Sequence, residues 1–301
     1  MFVWNIDPDL FHLPDFLGGR GIRYYGVIYV MVFLGGFRLW QWQMMKGGRT
    51  KEQAERFFTM GFLAGIIGAR LGHCLFYEPD YYLSNPIEMF YFWRGGLASH
   101  GGTISLICIL IYFAYREKMM IREVLDRFSL TAAWTAALIR MGNFFNSEIV
   151  GRKTTESIGV KFPRYEFAHM TPNQRIPCAQ ECSTAGDMCA TFRDQCYSLQ
   201  NVPWRHASQL YEFVMGFVVF AVIWAIDRKY GEDRPLGLMG FTFLFLYFVG
   251  RFTVEFFKEF QTLNNASFTM GQYLSIPFIV IGALGIYKSL TQRETRVPGV
   301  S

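Results

Sequence analysis

The chain has 301 residues, of which 51% are apolar and only 18% are charged. The charged share is below the roughly 25% that is usual for soluble domains, and several apolar runs reach the ~20 residues that a helix needs to cross a bilayer core. The net charge of +5 does not come from a Lys- and Arg-rich tract of the kind that binds nucleic acid, so cationic loops beside anionic lipid headgroups are expected.

Seven segments have the composition of membrane spans: 23–44, 57–77, 98–115, 128–146, 208–226, 236–257 and 270–290. Each is predicted to be helical, because in lipid a helix satisfies its backbone polar groups within one segment. The predicted fold is an all-α integral membrane protein with about seven transmembrane helices. The first 20 residues hold three Asp and no basic n-region, so they do not resemble a cleavable signal peptide.

Lys and Arg residues in the short connections predict the orientation. They cluster after the first, third and fifth spans and in the C-terminal tail, whereas Arg94 and Lys258 stand nearly alone in the opposite connections. Because positive charge collects on the inner side of a membrane, the N-terminus is predicted to lie outside and the C-terminus inside.

The segment 147–207 is the clear change in composition, since it is polar and too long for a simple connector. It is interpreted as a small external head. The predicted division is therefore 1–146 with four spans, 147–207 as the head, and 208–301 with three spans and the tail.

Four cysteines fall in the predicted head, at Cys178, Cys182, Cys189 and Cys196. An external compartment is oxidising and favours two disulfides, for which three pairings are possible. A zinc site is the alternative, although the spacing lacks a CxxC element. Cys74 and Cys108 lie inside spans and are predicted to be small buried apolar residues.

Ionisable residues inside spans are costly and therefore indicate function. The predicted topology brings Arg70, His100, Arg140 and Arg251 to one layer near the outer face, together with the Tyr residues that open the first span. Snorkelling to the headgroups is the alternative interpretation, and it is strongest for Arg70. Glu255 follows Arg251 by four residues, which predicts an ion pair on one helix face.

His100 lies between two Gly pairs, which allow close backbone approach, and an imidazole can act as a base near neutral pH. Arg140 and Arg251 suit a phosphate, because a guanidinium binds phosphate oxygens in a fork and stays charged. An anionic phospholipid is therefore the expected ligand.

The segment 140–151 resembles the signature R-x-G-N-F-x-N-x-E-x-x-G of bacterial prolipoprotein diacylglyceryl transferases. Further stretches agree in order: Tyr25-Gly26, Gly95 to Gly102, His206 to Glu212, Gly250-Arg251-Phe252 with Glu255-Phe256-Phe257, and Met270-Gly271-Gln272. The resemblance covers nearly the whole chain. Residues 163–203 are not recognised as a family feature, and Ala207 stands where the family usually has Pro.

The resemblance implies transfer of the diacylglyceryl group of phosphatidylglycerol to the lipobox Cys thiol of a preprolipoprotein, which releases glycerol 1-phosphate. It also implies a periplasmic N-terminus and head in the bacterial inner membrane. No metal or other cofactor and no nucleic acid is expected, and a monomer is predicted. The functional residues carry over onto Tyr25, His100, Arg140, Asn143, Asn146, Glu148, Gly151, Arg251 and Glu255.

The resemblance gives each residue an expected role. His100 takes the thiol proton, Arg140 and Arg251 bind the phosphate and stabilise its departure, and Tyr25 with Asn143 positions the headgroup. An Arg-bound water or Glu148 is the rival proton acceptor. A transporter and a non-catalytic phospholipid-binding protein are the alternative functions.

Overall fold

A computed structural model of the chain describes residues 2–12, 21–169, 189–192, 195–199, 201–259 and 268–292. Its helices are α1 Tyr24–Lys46, α2 Lys51–Phe76, α3 Pro79–Ser84, α4 Ser99–Arg116, α5 Ile121–Phe145, α6 Pro163–His169, α7 Ser208–Tyr230, α8 Leu238–Val254 and α9 Met270–Thr291. Short 3₁₀ turns cover Pro86–Phe90, Phe92–Arg94, Gly231–Asp233 and Glu255–Phe257.

A long helix covers each of the seven apolar segments, within the ranges that the structure describes. Four helical stretches there have the length and hydropathy to cross a membrane: Lys51–Phe76, Ser208–Asp233, Leu238–Phe257 and Met270–Thr291. The prediction of a mostly helical membrane protein is therefore confirmed at this level.

Two of the helices begin earlier than the apolar runs predict. Helix α2 begins at Lys51 rather than at 57, and α5 begins at Ile121 rather than at 128. In α2 the charged first turn is stabilised by a capping box, in which the Thr50 hydroxyl accepts from Gln53 N and the Gln53 side chain accepts from Thr50 N. Hydropathy locates the lipid-compatible part of a helix and not its polar ends.

Three short antiparallel strand pairs were not predicted: β1 Asp9–His12 with β2 Gly21–Arg23, β3 Val160–Lys161 with β6 Trp204–Arg205, and β4 Cys189–Phe192 with β5 Gln195–Ser198. Strands of two to four residues leave no periodicity in a sequence. Cys178 and Cys182 lie outside the described residues, and the disulfide hypothesis stays a prediction.

The chain forms two compact units, each built from separated segments. The first contains Met1–Gly36, Ala132–Val222 and Phe243–Leu284, and the second contains Phe37–Thr131, Ile223–Thr242 and Gly285–Ser301. In the first unit, Ile28 and Val32 of α1 pack with Leu138 of α5. In the second, the Trp40 ring packs at 4.4 Å from the Phe57 ring, measured between centroids.

Charged side chains form a buried cluster in the second unit. Asp126, Arg127, Asp227 and Arg234 are fully buried. Arg234 Nη1 donates to Asp227 Oδ1 at 3.1 Å, and Arg127 Nη2 donates to Glu123 Oε1 at 2.9 Å. Each buried charge thus has an opposite charge beside it, as burial requires.

Asp126 also caps the N-terminus of α8. Its two carboxylate oxygens accept from Gly237 N at 2.8 Å and Gly240 N at 2.9 Å. These donors belong to the first turn of the helix, where the amide groups have no partner within the helix. A carboxylate at this position also interacts favourably with the helix dipole.

We expect Asp126→Ala to lower the free energy of unfolding by about 3–5 kcal/mol, because it leaves Arg234 with less compensating charge and two amide groups without acceptors. Thermal unfolding in detergent, followed by tryptophan fluorescence, measures the loss. Asp233→Ala, which changes an exposed carboxylate nearby, is the control and should stay within about 0.5 kcal/mol of the parent. Equal effects of the two substitutions would contradict the capping role.

Candidate active site

Within the segment 140–151, the chain leaves helix α5 and enters a strained turn. Ser147 has φ 54° and Ile149 has φ 55°, which is the left-handed region. A β-branched residue is rarely found there, and such strain persists where the surroundings fix the backbone. One of the fixing contacts is the Glu148 amide, which donates to Asn143 O at 2.9 Å.

Four side chains of this segment form a chain of hydrogen bonds. Arg140 Nη1 donates to Asn143 Oδ1 at 3.3 Å, and Asn143 Nδ2 donates to Glu148 Oε2 at 3.3 Å. Asn146 Nδ2 donates to the other Glu148 oxygen at 3.2 Å. The two amides therefore hold the exposed Glu148 carboxylate, and one of them connects it to the guanidinium.

Helix α7 supports the same turn from its first residues. Ser208 Oγ donates to Ile149 O at 2.9 Å, and Gln209 Nε2 donates to Glu148 O at 2.6 Å. Both side chains are fully buried. The carbonyl groups that the strained turn exposes are thereby satisfied within the protein.

Glu212, one turn further along α7, was not predicted as a site residue. It is buried, and its carboxylate contacts Arg140 Nε at 3.2 Å and Lys258 Nζ at 2.9 Å. Burial lowers the pKa of Lys258, the Glu212 carboxylate opposes this shift, and the Arg140 charge adds to it. Arg140 and Lys258 thus share one buried carboxylate, which holds both cations in place.

Gly151 lies where no larger residue fits. A Cβ atom there would lie 2.5 Å from Phe257 O and 2.6 Å from His206 Cβ. Gly151 N donates to His206 O at 2.9 Å, and Arg205 Nη1 donates to Gly151 O at 3.2 Å. The expectation that Gly151 allows close backbone approach is confirmed.

Tyr25 contacts the signature through a glycine. A Cβ atom at Gly142 would lie 2.7 Å from the Tyr25 ring, so only glycine leaves room for it. The Tyr25 hydroxyl also lies 3.3 Å from the Tyr29 hydroxyl. Tyr25 thus packs against Gly142, which lies two residues after Arg140 in the signature.

The predicted ion pair between Arg251 and Glu255 is wrong. Glu255 contacts Lys258 instead, with Oε2 at 3.7 Å from Nζ. The reason is that α8 ends at Val254 and Glu255 opens a 3₁₀ turn, so the four-residue spacing of an α-helix is not maintained. The Glu255 carboxylate lies against Gly271, where a Cβ atom would be 2.6 Å from its oxygen.

His100 belongs to the second unit, in the first turn of α4, and it is exposed. The neighbouring Gly101 makes the close approach that its sequence context predicts. A Cβ atom there would lie 2.2 Å from Gly68 O and 2.8 Å from Gly72 Cα, both in α2. Small residues at such contacts let two membrane helices approach closely.

Arg70 does not snorkel. It is buried, and its guanidinium donates to the carbonyl groups of residues 88, 89, 95 and 96 at 2.7, 2.9, 2.7 and 3.2 Å. It also lies over the Tyr82 ring at 4.9 Å. The snorkelling interpretation is therefore wrong for this residue, which instead holds the irregular segment before α4.

Glu212 and Lys258 are the residues that sequence reasoning missed. Both carry a signal: Glu212 is an ionisable residue early in a predicted span, and Lys258 stands alone in its connection. The rule that flagged Arg140 applies to Glu212 as well. Their pairing with Arg140 is a tertiary contact, which no sequence spacing indicates.

Comparison with known proteins indicates the same family as the signature of residues 140–151. A family model described as prolipoprotein diacylglyceryl transferase matches residues 10–288. The chain is 34% identical to a phosphatidylglycerol–prolipoprotein diacylglyceryl transferase of Chloroherpeton thalassium over 97% of this chain and 95% of the relative. Proteins with the same name from Tolumonas auensis and Porphyromonas gingivalis are each 34% identical, over 94% and 98% of this chain and 95% and 96% of the relative.

We expect Glu212→Gln to lower the free energy of unfolding by about 3–5 kcal/mol, because it leaves Arg140 and Lys258 without their shared buried anion. Adding Lys258→Gln removes one of the stranded cations and should recover part of the loss, with a coupling energy of about 0.5–3 kcal/mol. Thermal unfolding in detergent of the two single variants and the double variant measures this coupling.

The exposed Glu156→Gln is the matched control for loss of a carboxylate, and it should leave the stability unchanged. Strictly additive effects of the Glu212 and Lys258 substitutions would contradict a shared ion pair.

Proposed function

The chain belongs to the prolipoprotein diacylglyceryl transferase family, and on this premise we propose that it transfers the diacylglyceryl group of phosphatidylglycerol to a prolipoprotein. The acceptor is the thiol of a lipobox cysteine. A carbon–sulfur bond forms at the glycerol carbon that bears the phosphate ester, the carbon–oxygen bond breaks, and glycerol 1-phosphate leaves. The enzyme is a transferase of the first step of lipoprotein maturation.

The position of the Arg140 guanidinium is the observation that supports this function most. It belongs to the signature segment, and it is held by Glu212 at 3.2 Å and by Asn143 at 3.3 Å. The phosphodiester of phosphatidylglycerol carries one negative charge, and a guanidinium binds phosphate oxygens in a fork. A guanidinium held by side-chain contacts on two sides is also preorganised for charge that develops on the departing phosphate.

The remaining roles follow the family signature. Arg251 binds the phosphate together with Arg140, and Tyr25 and Asn143 position the headgroup. Asn146, Glu148, Gly151 and Glu255 complete the substrate-binding residues.

Proton transfer is assigned to His100. It accepts the thiol proton, because a thiolate is the strong nucleophile and an imidazole is a suitable base near neutral pH. Glu148 or an arginine-bound water is the competing acceptor. The Glu148 carboxylate is the weaker base of the two side chains, since it already accepts from two amides.

The membrane arrangement that we propose has seven spans in the bacterial inner membrane, with the N-terminus in the periplasm and the C-terminus in the cytoplasm. The long helices over the seven apolar segments of the described ranges and the distribution of Lys and Arg support it. Residues 147–207 form the periplasmic head between 1–146 and 208–301, and the protein acts as a monomer.

We expect purified protein to add one diacylglyceryl group to a lipobox peptide in the presence of phosphatidylglycerol, as measured by mass spectrometry. Arg140→Ala should reduce the rate about 10²–10³-fold, because it removes a preorganised cation from the leaving phosphate. Lys153→Ala, which removes an exposed cation, is the control and should retain the parent rate. No mass gain by folded parent protein would overturn the proposed activity.

We expect His100→Gln to abolish transfer and to leave phosphatidylglycerol binding unchanged, since the substitution removes the base but not the cations that hold the phosphate. Binding is followed by retention of labelled lipid, and transfer by the mass gain of the peptide. His12→Gln, outside the signature and its partners, serves as the control for loss of an imidazole. If His100→Gln retained transfer, Glu148 or water, and not His100, would be the acceptor of the thiol proton.

A further inference from the structure

A pocket of about 850 Å³ lies beside the signature turn in the first unit. Residues 146–150 form one side, α6 contributes residues 164–166, 168 and 169, and Arg205 and Glu259 complete the wall. A volume of about 300–1,000 Å³ is typical of ligand-binding pockets. The lining includes Asn146 and Glu148, which the family signature assigns to substrate binding without saying which substrate they bind.

The far wall of the pocket is a closed charge network. Arg205 Nε donates to Glu166, and Arg205 Nη1 donates to Glu259 Oε2 at 3.0 Å. The Tyr165 hydroxyl donates to Glu259 at 3.0 Å, and burial raises the pKa of Tyr165 to about 12, so it remains a donor. Arg205 also bonds to Gly151 O, which ties this wall to the signature. The wall is therefore preformed.

The near wall is the signature turn itself. Ser147 is 3% exposed and is held in the left-handed region, and its Oγ and Asn146 Oδ1 are enclosed without a hydrogen-bond partner among the described residues. Enclosed atoms do not face the pocket, so this wall presents the exposed Glu148 carboxylate to a ligand.

The charge of the lining favours a neutral or basic ligand. Three glutamates, at positions 148, 166 and 259, face Arg164, Arg205 and His169. With His169 neutral, the glutamates exceed the arginines by one, so the lining does not attract an anion such as the phospholipid headgroup or glycerol 1-phosphate. A peptide backbone, which is neutral and has amide donors for the Glu148 carboxylate, suits this lining.

We propose that this pocket binds the polypeptide acceptor, through the segment that follows the lipobox cysteine. The inference rests on the proposed transferase function. The segment that precedes the cysteine is the apolar part of a signal peptide and suits the membrane, whereas the polar pocket suits the segment that follows it. Glu148 lies at the pocket and connects through Asn143 to Arg140, so the bound cysteine is held beside the phosphate-binding residues.

The test fills the pocket without changing its charges. Ala168 is an exposed residue of the lining on α6, and Ala168→Trp places a large ring in the pocket. We expect the KM for a lipobox peptide to rise at least about tenfold, with the KM for phosphatidylglycerol unchanged. Glu156→Trp, at an exposed position outside the lining, is the matched control and should change neither constant.

A second peptide makes the result specific. A peptide that ends at the lipobox cysteine lacks the proposed pocket-binding segment, and its KM with the parent protein should be raised to a similar extent. Ala168→Trp should then raise it no further, because the substitution and the truncation remove the same contact and do not add.

The outcomes separate the two proposals. If the parent protein transfers no diacylglyceryl group to either peptide, the proposed function fails. If it transfers the group and Ala168→Trp leaves the peptide KM unchanged, or raises it equally for the truncated peptide, the pocket does not bind the acceptor. A parallel rise in the KM for phosphatidylglycerol would assign the pocket to the lipid instead.

Discussion

The buried carboxylate of Glu212 is the constraint on which the site in the first unit depends. A carboxylate at this depth is stable only with cations at hydrogen-bonding distance, and it has two, Arg140 at 3.2 Å and Lys258 at 2.9 Å. These residues come from α5, from the start of α7 and from the end of the α8 segment. Pairing with the Glu212 carboxylate thus holds these three chain segments together and positions the Arg140 guanidinium.

The signature turn divides the chemistry of the first unit into two environments. On one side Arg140 and Lys258 share the buried Glu212 carboxylate, and on the other Glu148 belongs to the lining of the pocket. Asn143 and Glu148 connect the two through hydrogen bonds. Under the proposed function, the lipid phosphate and the peptide bind on opposite sides of this one turn.

Much of the helical fold follows from the sequence, because in lipid each apolar segment of about 20 residues has to be a helix. The polar ends of α2 and α5 could not be located in this way, since capping and not hydropathy determines where a helix begins. The contacts of Glu212 depend on tertiary packing. Glu255 pairs with Lys258 and not with Arg251 because a 3₁₀ turn follows α8. The signature gave the candidate site residues by resemblance, and the structure shows the contacts of Arg140, Asn143 and Glu148.

Arg70 explains why an irregular segment can precede α4. Residues 85–98 contain two short 3₁₀ turns and Gly95 and Gly96 at positive φ, so their carbonyl groups lack regular partners. All three guanidinium nitrogens of Arg70 donate to carbonyl groups of this segment. A lysine at this position has one nitrogen and could not span four acceptors. The segment before α4 is thus held by a buried cation, and His100, the second residue of α4, follows a fixed backbone.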